Sequence, residues 1–117
     1  MNFEKAKDVC RGFPGATEDL KWGDNTVFSV GGKMFMIIGA GVSAHGMSFK
    51  VEDERFLELT DRPGMRPAPY LARSKWVCVE RADALGDAEA AELLRRAYEL
   101  VFARLTKKLQ REIGEAA

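Results

Sequence analysis

Gly31-Gly32 stands between two apolar runs, Thr26-Val-Phe-Ser-Val30 and Lys33-Met-Phe-Met-Ile-Ile38. That arrangement leaves few options for the chain around it. Paired apolar runs of strand length joined by two glycines predict a β-hairpin, because glycine tolerates the positive φ of tight two-residue turns. A third run, Gly46-Met-Ser-Phe-Lys-Val51, follows Gly39-Ala-Gly41 and the short Val42–His45 link, and extends the hairpin to an antiparallel meander. Met34 to Ile38 are all apolar, which suits a central strand covered on both faces. In the third strand Met47, Phe49 and Val51 alternate with Ser48 and Lys50, which predicts a half-exposed strand.

The flanking segments read as helices. Asn2 caps a first helix to about Arg11, with Phe3, Ala6, Val9 or Cys10, and Phe13 on its inner side. Gly12 ends it and Pro14-Gly15 prevents continuation. Ala16-Thr-Glu-Asp19 reads as a polar connector and Leu20-Lys-Trp22 as a short edge strand. Asp53 caps a second helix, Glu54 to about Thr60, with Phe56, Leu57 and Leu59 inward. Met65 to Ser74 is a long loop stiffened by Pro67 and Pro69. Lys75 to Glu80 is the last strand. Asp87 caps the longest helix, to about Ile113, with Leu94, Tyr98, Val101, Leu105 and Leu109 as its apolar stripe.

Helix, strands, helix, strand, helix is an α+β order rather than βαβ alternation. The expectation is one domain over residues 1–117, a two-layer sandwich. It has an antiparallel sheet of four to five strands with N-terminal, short middle and long C-terminal helices. Hydrophobic residues at 46% and charged residues at 31% are a globular mixture. A formal net charge of zero gives no overall field for nucleic acid or anionic lipid, so such binding needs a local patch. Cys10 and Cys78 read as buried thiols. The charged N-terminus lacks an apolar signal region, no run reaches membrane-spanning length, and a bacterial cytoplasmic protein is expected.

Little in the chain points to catalysis or to a cofactor. His45 is the lone histidine, in a turn, which excludes a two-histidine metal site. Pairing it with a cysteine would need a thiol outside the core and a third orienting group. Glu18, Asp19 and Asp24 cluster near the first turn. They could serve acid–base chemistry if they converge in a cleft, but read first as turn caps and loop solvation. The glycine pairs precede no helix and so form no phosphate-binding fingerprint. Enzyme is the less favoured class; no cofactor and no metal are expected.

Two segments are basic. From Arg62 to Arg81 there are Arg62, Arg66, Arg73, Lys75 and Arg81 against Glu80 alone, with Tyr70 and Trp76 interleaved. From Arg95 to Arg111 there are Arg95, Arg96, Arg104, Lys107, Lys108 and Arg111 against Glu99 alone. Basic and aromatic side chains together can contact phosphates and stack on bases. The alternative is a helix end complementing its dipole and aromatics packed on the core. Lys21, Lys33 and Lys50 lie at strand ends or on the outer sheet face, and spacing alone does not say which patch they join.

Pro14-Gly-Ala-Thr-Glu-Asp19, Trp22-Gly23, Val27-Phe-Ser-Val-Gly-Gly-Lys-Met-Phe35, Phe49-Lys50, Pro69-Tyr70, Lys75-Trp-Val77 and Leu105-Thr-Lys-Lys-Leu109 recur in this order in the MmcQ/YjbR-like proteins, which the chain resembles over nearly its whole length. The resemblance implies a compact α+β fold of CyaY-like or secretion-chaperone-like arrangement. It also implies a DNA-binding assignment, argued in the family from a double-wing-like shape, and it supplies no catalytic residue. The Arg62–Arg73 loop departs from the more polar Gly-Tyr segment of relatives.

The leading expectation is a small non-enzymatic DNA-binding protein, a monomer or weak dimer without membrane contact. Arg66, Arg73 and Lys75 would hold phosphates, and Tyr70 or Trp76 would stack. The alternative is a module that takes a protein or a small ligand in the groove between the loop and the sheet. That module requires an apolar, aromatic-lined pocket rather than a continuous positive face.

Overall fold

The computed structural model describes residues 1–39, 46–69 and 71–116. His45, the expected turn histidine, and Tyr70, an expected stacking residue, lie outside them. The chain runs α1 (Phe3–Arg11), β1 (Ala16–Lys21), β2 (Asn25–Val30), β3 (Lys33–Ile38), β4 (Met47–Lys50), α2 (Asp53–Thr60), β5 (Met65–Pro67), β6 (Trp76–Val79), α3 (Asp87–Phe102) and α4 (Lys107–Ala116). The strands form one six-stranded sheet in the order β1-β2-β3-β4-β6-β5, with every pair antiparallel. The α+β sandwich stands as expected, with slightly more strands.

The β2–β3 hairpin turns at the glycine pair. Val30 faces Lys33 across a two-residue turn, with φ of 57° at Gly31 and 80° at Gly32. Further along, Phe28 faces Met36 but Ser29 faces Met34. Phe35 is therefore an extra residue, a β-bulge that turns both Phe35 and Met36 into the core. Residues from α1 (Ala6, Cys10) and α3 (Leu93, Leu94, Ala97, Tyr98, Val101) cover that face of the sheet. Tyr98 packs its ring between Phe13, Phe35 and Phe102, and its hydroxyl donates to the Pro14 carbonyl oxygen.

The opposite face carries a second, smaller cluster. Trp76 and Cys78 alternate with the core-facing Val77 and Val79 along β6, and so turn away from the helices. Ala68 and Leu71 fold over them, with Met34 and Ile37 alongside. The segment that reads as one long loop thus contains β5, a 3-10 turn at Ala72–Ser74, and a cover for this face.

Several local expectations change. The stretch from Ala16 to Lys21 is one continuous edge strand, not a connector followed by a strand. Among the described residues its only partner is β2, and just Ala16 of its residues packs on the core, so it lacks apolar alternation. The α2 cap is Glu52, which makes no side-chain cap bond because its carboxylate receives Arg96 Nε at 3.0 Å. Leu57 points outward, 79% exposed, whereas Leu59 is buried. Gly86, not Asp87, caps α3; the Asp87 carboxylate instead accepts from Lys5 Nζ at 2.6 Å. Lys75, expected in the last strand, takes a left-handed φ of 61° just before it.

The long terminal helix is two helices. Residues 103–106 break it, with Leu105 buried at the joint. The Thr106 hydroxyl accepts from the Leu109 N–H at 3.2 Å and starts α4. Gln110 Nε2 donates back to the carbonyls of Phe102 at 3.1 Å and Leu105 at 3.0 Å, satisfying acceptors that the end of α3 leaves open. Cys10 and Cys78 are both buried thiols, as expected. No helix of the described residues is long and apolar enough to cross a membrane.

Candidate functional site

β3 begins, β4 ends and β6 begins at the same end of the sheet, because successive pairs are antiparallel. The end of α3 reaches that edge as well. A cavity of about 240 Å³ opens there. Lys33 and Met34 come from β3, Lys50 from β4, Trp76 from β6, Val101 and Arg104 from the α3 terminus, and Leu71 and Ser74 from the loop. This is the groove between the loop and the sheet. Met34, Leu71, Trp76 and Val101 form its apolar wall, and three cations complete it.

None of the lining residues is acidic. Lys50 is the unusual member. Its alternation within β4 places it on the face away from the helices, directly across from Trp76. The expected half-exposure does not hold: the loop and Trp76 cover it, and the residue is 9% exposed. Its ammonium donates to the Ser74 carbonyl oxygen at 2.7 Å. Burial, and secondarily the nearby Arg104 guanidinium, push its pKa below the usual lysine value, while Asp53 at the start of α2 pulls weakly the other way. An ammonium has three donor directions, and one carbonyl fills one of them. Lys33, Lys50 and Arg104 form no ion pair with any of the described residues.

Four of the eight arginines in the two basic segments behave differently. Arg62 donates to Glu89 at 2.8 Å and to Glu58 at 2.9 Å. Arg66 pairs with Glu80 at 3.0 Å, Arg81 with Asp83 at 3.2 Å, and Arg96 with Glu52 at 3.0 Å. Of the residues singled out in the loop, Arg66 is therefore neutralised. The Lys75 ammonium lies 5.1 Å from the centre of the Phe56 ring. Trp76 is 5% exposed, so its ring is wall rather than a platform open to solvent. Arg73 is exposed and makes no ion pair with the described residues, and its neighbours Leu71 and Ser74 line the groove.

The carboxylates near the first turn do not converge. Glu18 and Asp19 are successive residues of β1 and point to opposite faces. Arg11 binds both Glu18 oxygens, at 2.8 and 2.9 Å, and holds that carboxyl below its ordinary pKa. Among the described residues no group of three His, Cys, Asp or Glu side chains could hold a metal ion. Spacing did not reveal the groove, since its cations are far apart in sequence and each sits in a separate element.

The fold and groove describe a small two-layer α+β domain with a basic, half-apolar recess at a sheet end. The YjbR family model matches residues 11–100, and the chain belongs to the YjbR family. Lys33, Met34, Lys50 and Trp76 all fall within that match. The crystal structure of a protein from Pseudomonas syringae, a Northeast Structural Genomics Consortium target, superposes with a TM-score of 0.69 at 22% identity, covering 86% of this chain and 99% of that one. At that identity the likeness concerns the fold. No curated protein matches the chain in sequence.

Proposed function

We propose that this protein is a non-enzymatic binding module of the bacterial cytoplasm whose site is the groove between the loop and the sheet, and that the groove takes an anionic ligand. The observation that carries the reading is the meeting of Lys33, Lys50 and Arg104 on an apolar wall that contains no carboxylate. Six arginines elsewhere, Arg11, Arg55, Arg62, Arg66, Arg81 and Arg96, are answered by acids; here three cations share one recess without one. Like charges held together in a partly desolvated recess disfavour one another, and an anion between them removes that cost. The pocket is aromatic-walled, as a ligand module requires. Two buried thiols without a disulfide suit a reducing compartment.

Backbone amide shifts in an NMR titration with small oxyanions test this reading. Shifts clustered at Lys33, Lys50, Trp76 and Arg104 are expected. Shifts scattered over the surface, or none, reject it.

DNA binding is the second reading. Arg73 beside the groove and Lys107, Lys108 and Arg111 of α4 favour it, all exposed and without ion pairs to the described residues. With Arg66 paired to Glu80, the phosphate contacts would fall to Arg73, Lys75 and Arg104. Fluorescence anisotropy with duplex and single-stranded DNA decides it. Each phosphate contact steepens the fall of affinity with salt, so binding absent at low salt, or unmoved by salt, rejects it.

A further inference from the structure

Resting on the groove reading above, we propose that the ligand is a small phosphate monoester, held by its terminal phosphate against Lys33, Lys50 and Arg104 with an apolar body along Met34, Leu71 and Trp76. Three features of the recess select this chemistry. The first is charge. A carboxylate brings one negative charge and leaves two of the three cations facing each other. A phosphate monoester brings about −1.5 to −2 at neutral pH and three acceptor oxygens, which suits three cations.

The second is depth. Lys50 is 9% exposed, so the group that reaches its ammonium must be compact and terminal. An internal phosphodiester carries two ester arms and one charge, and so answers fewer of the three cations. The third is donor geometry. The Lys50 ammonium is fixed on one side by the Ser74 carbonyl at 2.7 Å, which leaves two donor directions. Arg104 adds a guanidinium, whose planar fork suits paired phosphate oxygens. A cavity of about 240 Å³ holds a phosphate and one small ring but not a large cofactor.

The test uses phenyl phosphate, phenol and benzoate as probes on the intact protein, followed by amide shifts and by the fluorescence of Trp76 in a Trp22→Phe background. Phenyl phosphate is expected to bind one to one at the groove, and phenol not to bind. Lys50→Met and Arg104→Gln are each expected to weaken phenyl phosphate at least about tenfold, the usual loss for a charge-assisted hydrogen bond. Lys50→Arg should retain part of the affinity. Benzoate moving the groove resonances as strongly as phenyl phosphate, and losing as much to Lys50→Met, overturns the phosphate assignment and leaves the groove reading standing; phenol doing as well, with Lys50→Met indifferent, overturns both. No shift at the groove with any probe overturns both. If Lys50→Met does not fold, Arg104→Gln and Lys33→Gln carry the same comparison.

Discussion

Lys50 and Trp76 face each other across the β4–β6 ladder, and the indole together with the loop takes the lysine out of water. A charged ammonium placed there lowers the stability of the fold. Lys50→Met keeps most of the length of the side chain and removes the charge. Loss of the Ser74 hydrogen bond offsets part of the gain. We expect the variant to be as stable as the parent or more stable by up to about 1 kcal/mol in urea denaturation.

The same lysine sets a pH dependence. Its folded pKa lies below the ordinary 10.5, so between the two values the unfolded chain binds more protons than the folded one. Stability from this group therefore rises as pH increases through that window. Anion binding needs the protonated form and falls over the same range. The charged groups around Lys50 are Arg104 and Asp53, with Lys33 in the same lining. The unfolding free energy of the parent relative to Lys50→Met, measured from neutral to alkaline pH, should rise with pH. A constant difference would show that Lys50 does not titrate in this way.

On the acid side the slope has the same sign, because these folded pKa values are lowered too. Arg11 beside Glu18, Arg96 beside Glu52, Arg55 and Arg62 beside Glu58, and Lys5 beside Asp87 each hold a carboxyl below its ordinary pKa. Their contribution is present above the ordinary carboxylate values and is lost as pH falls through the depressed ones. These pairs are exposed, so added salt should flatten the acid limb of the stability curve.

Two glycines with similar backbone angles should respond unequally to alanine. Gly46 and Gly32 have φ of 85° and 80°. A Cβ on Gly32 meets nothing within 4 Å, while one on Gly46 falls 2.0 Å from the Val79 carbonyl oxygen. Gly32→Ala should cost the strain of a left-handed alanine, about 1 kcal/mol. Gly46→Ala must in addition push β4 away from β6, and a loss of more than about 3 kcal/mol is expected from so severe an overlap. Thermal melts of the two variants give the comparison.

The joint between α3 and α4 rests on Thr106 and Gln110. Thr106→Ala removes the acceptor of the Leu109 N–H and should cost about 1 kcal/mol. Because Arg104 lies inside this joint, Gln110→Ala, which frees the Phe102 and Leu105 carbonyls, should weaken phenyl phosphate as well as stability. An unchanged affinity would mean that Arg104 is positioned without the joint.

Much of this architecture is legible in the residues. Gly31-Gly32 between apolar runs, Asn2 before an amphipathic stretch, and the all-apolar β3 each leave one sensible structure, and each occurs. Asn2 Oδ1 indeed accepts the Lys5 N–H at 2.7 Å. The failures have separate causes. β1 looks polar because it lies at the sheet edge and β2 alone recruits it. The apolar stripe runs on through Leu105 and Leu109 without glycine or proline, so nothing but a threonine cap marks the break. Lys50 alternates like an exposed residue, and only the loop returning at Ser74 buries it. The arginine-rich loop reads as a free cationic surface because the acids that quench Arg62, Glu58 of α2 and Glu89 of α3, lie outside the loop.

The groove has no counterpart in any single segment, since β3, β4, β6, the loop and α3 each supply part of its wall. Unfolding scatters those parts, and a ligand that bridges them has nothing to hold on the denatured chain. Occupancy must then register as a stitch through the fold. At one hundred times its dissociation constant, such a ligand adds about 2.7 kcal/mol to unfolding. A melting-temperature screen over phosphorylated metabolites therefore doubles as a search for the natural occupant, with no assay of activity required.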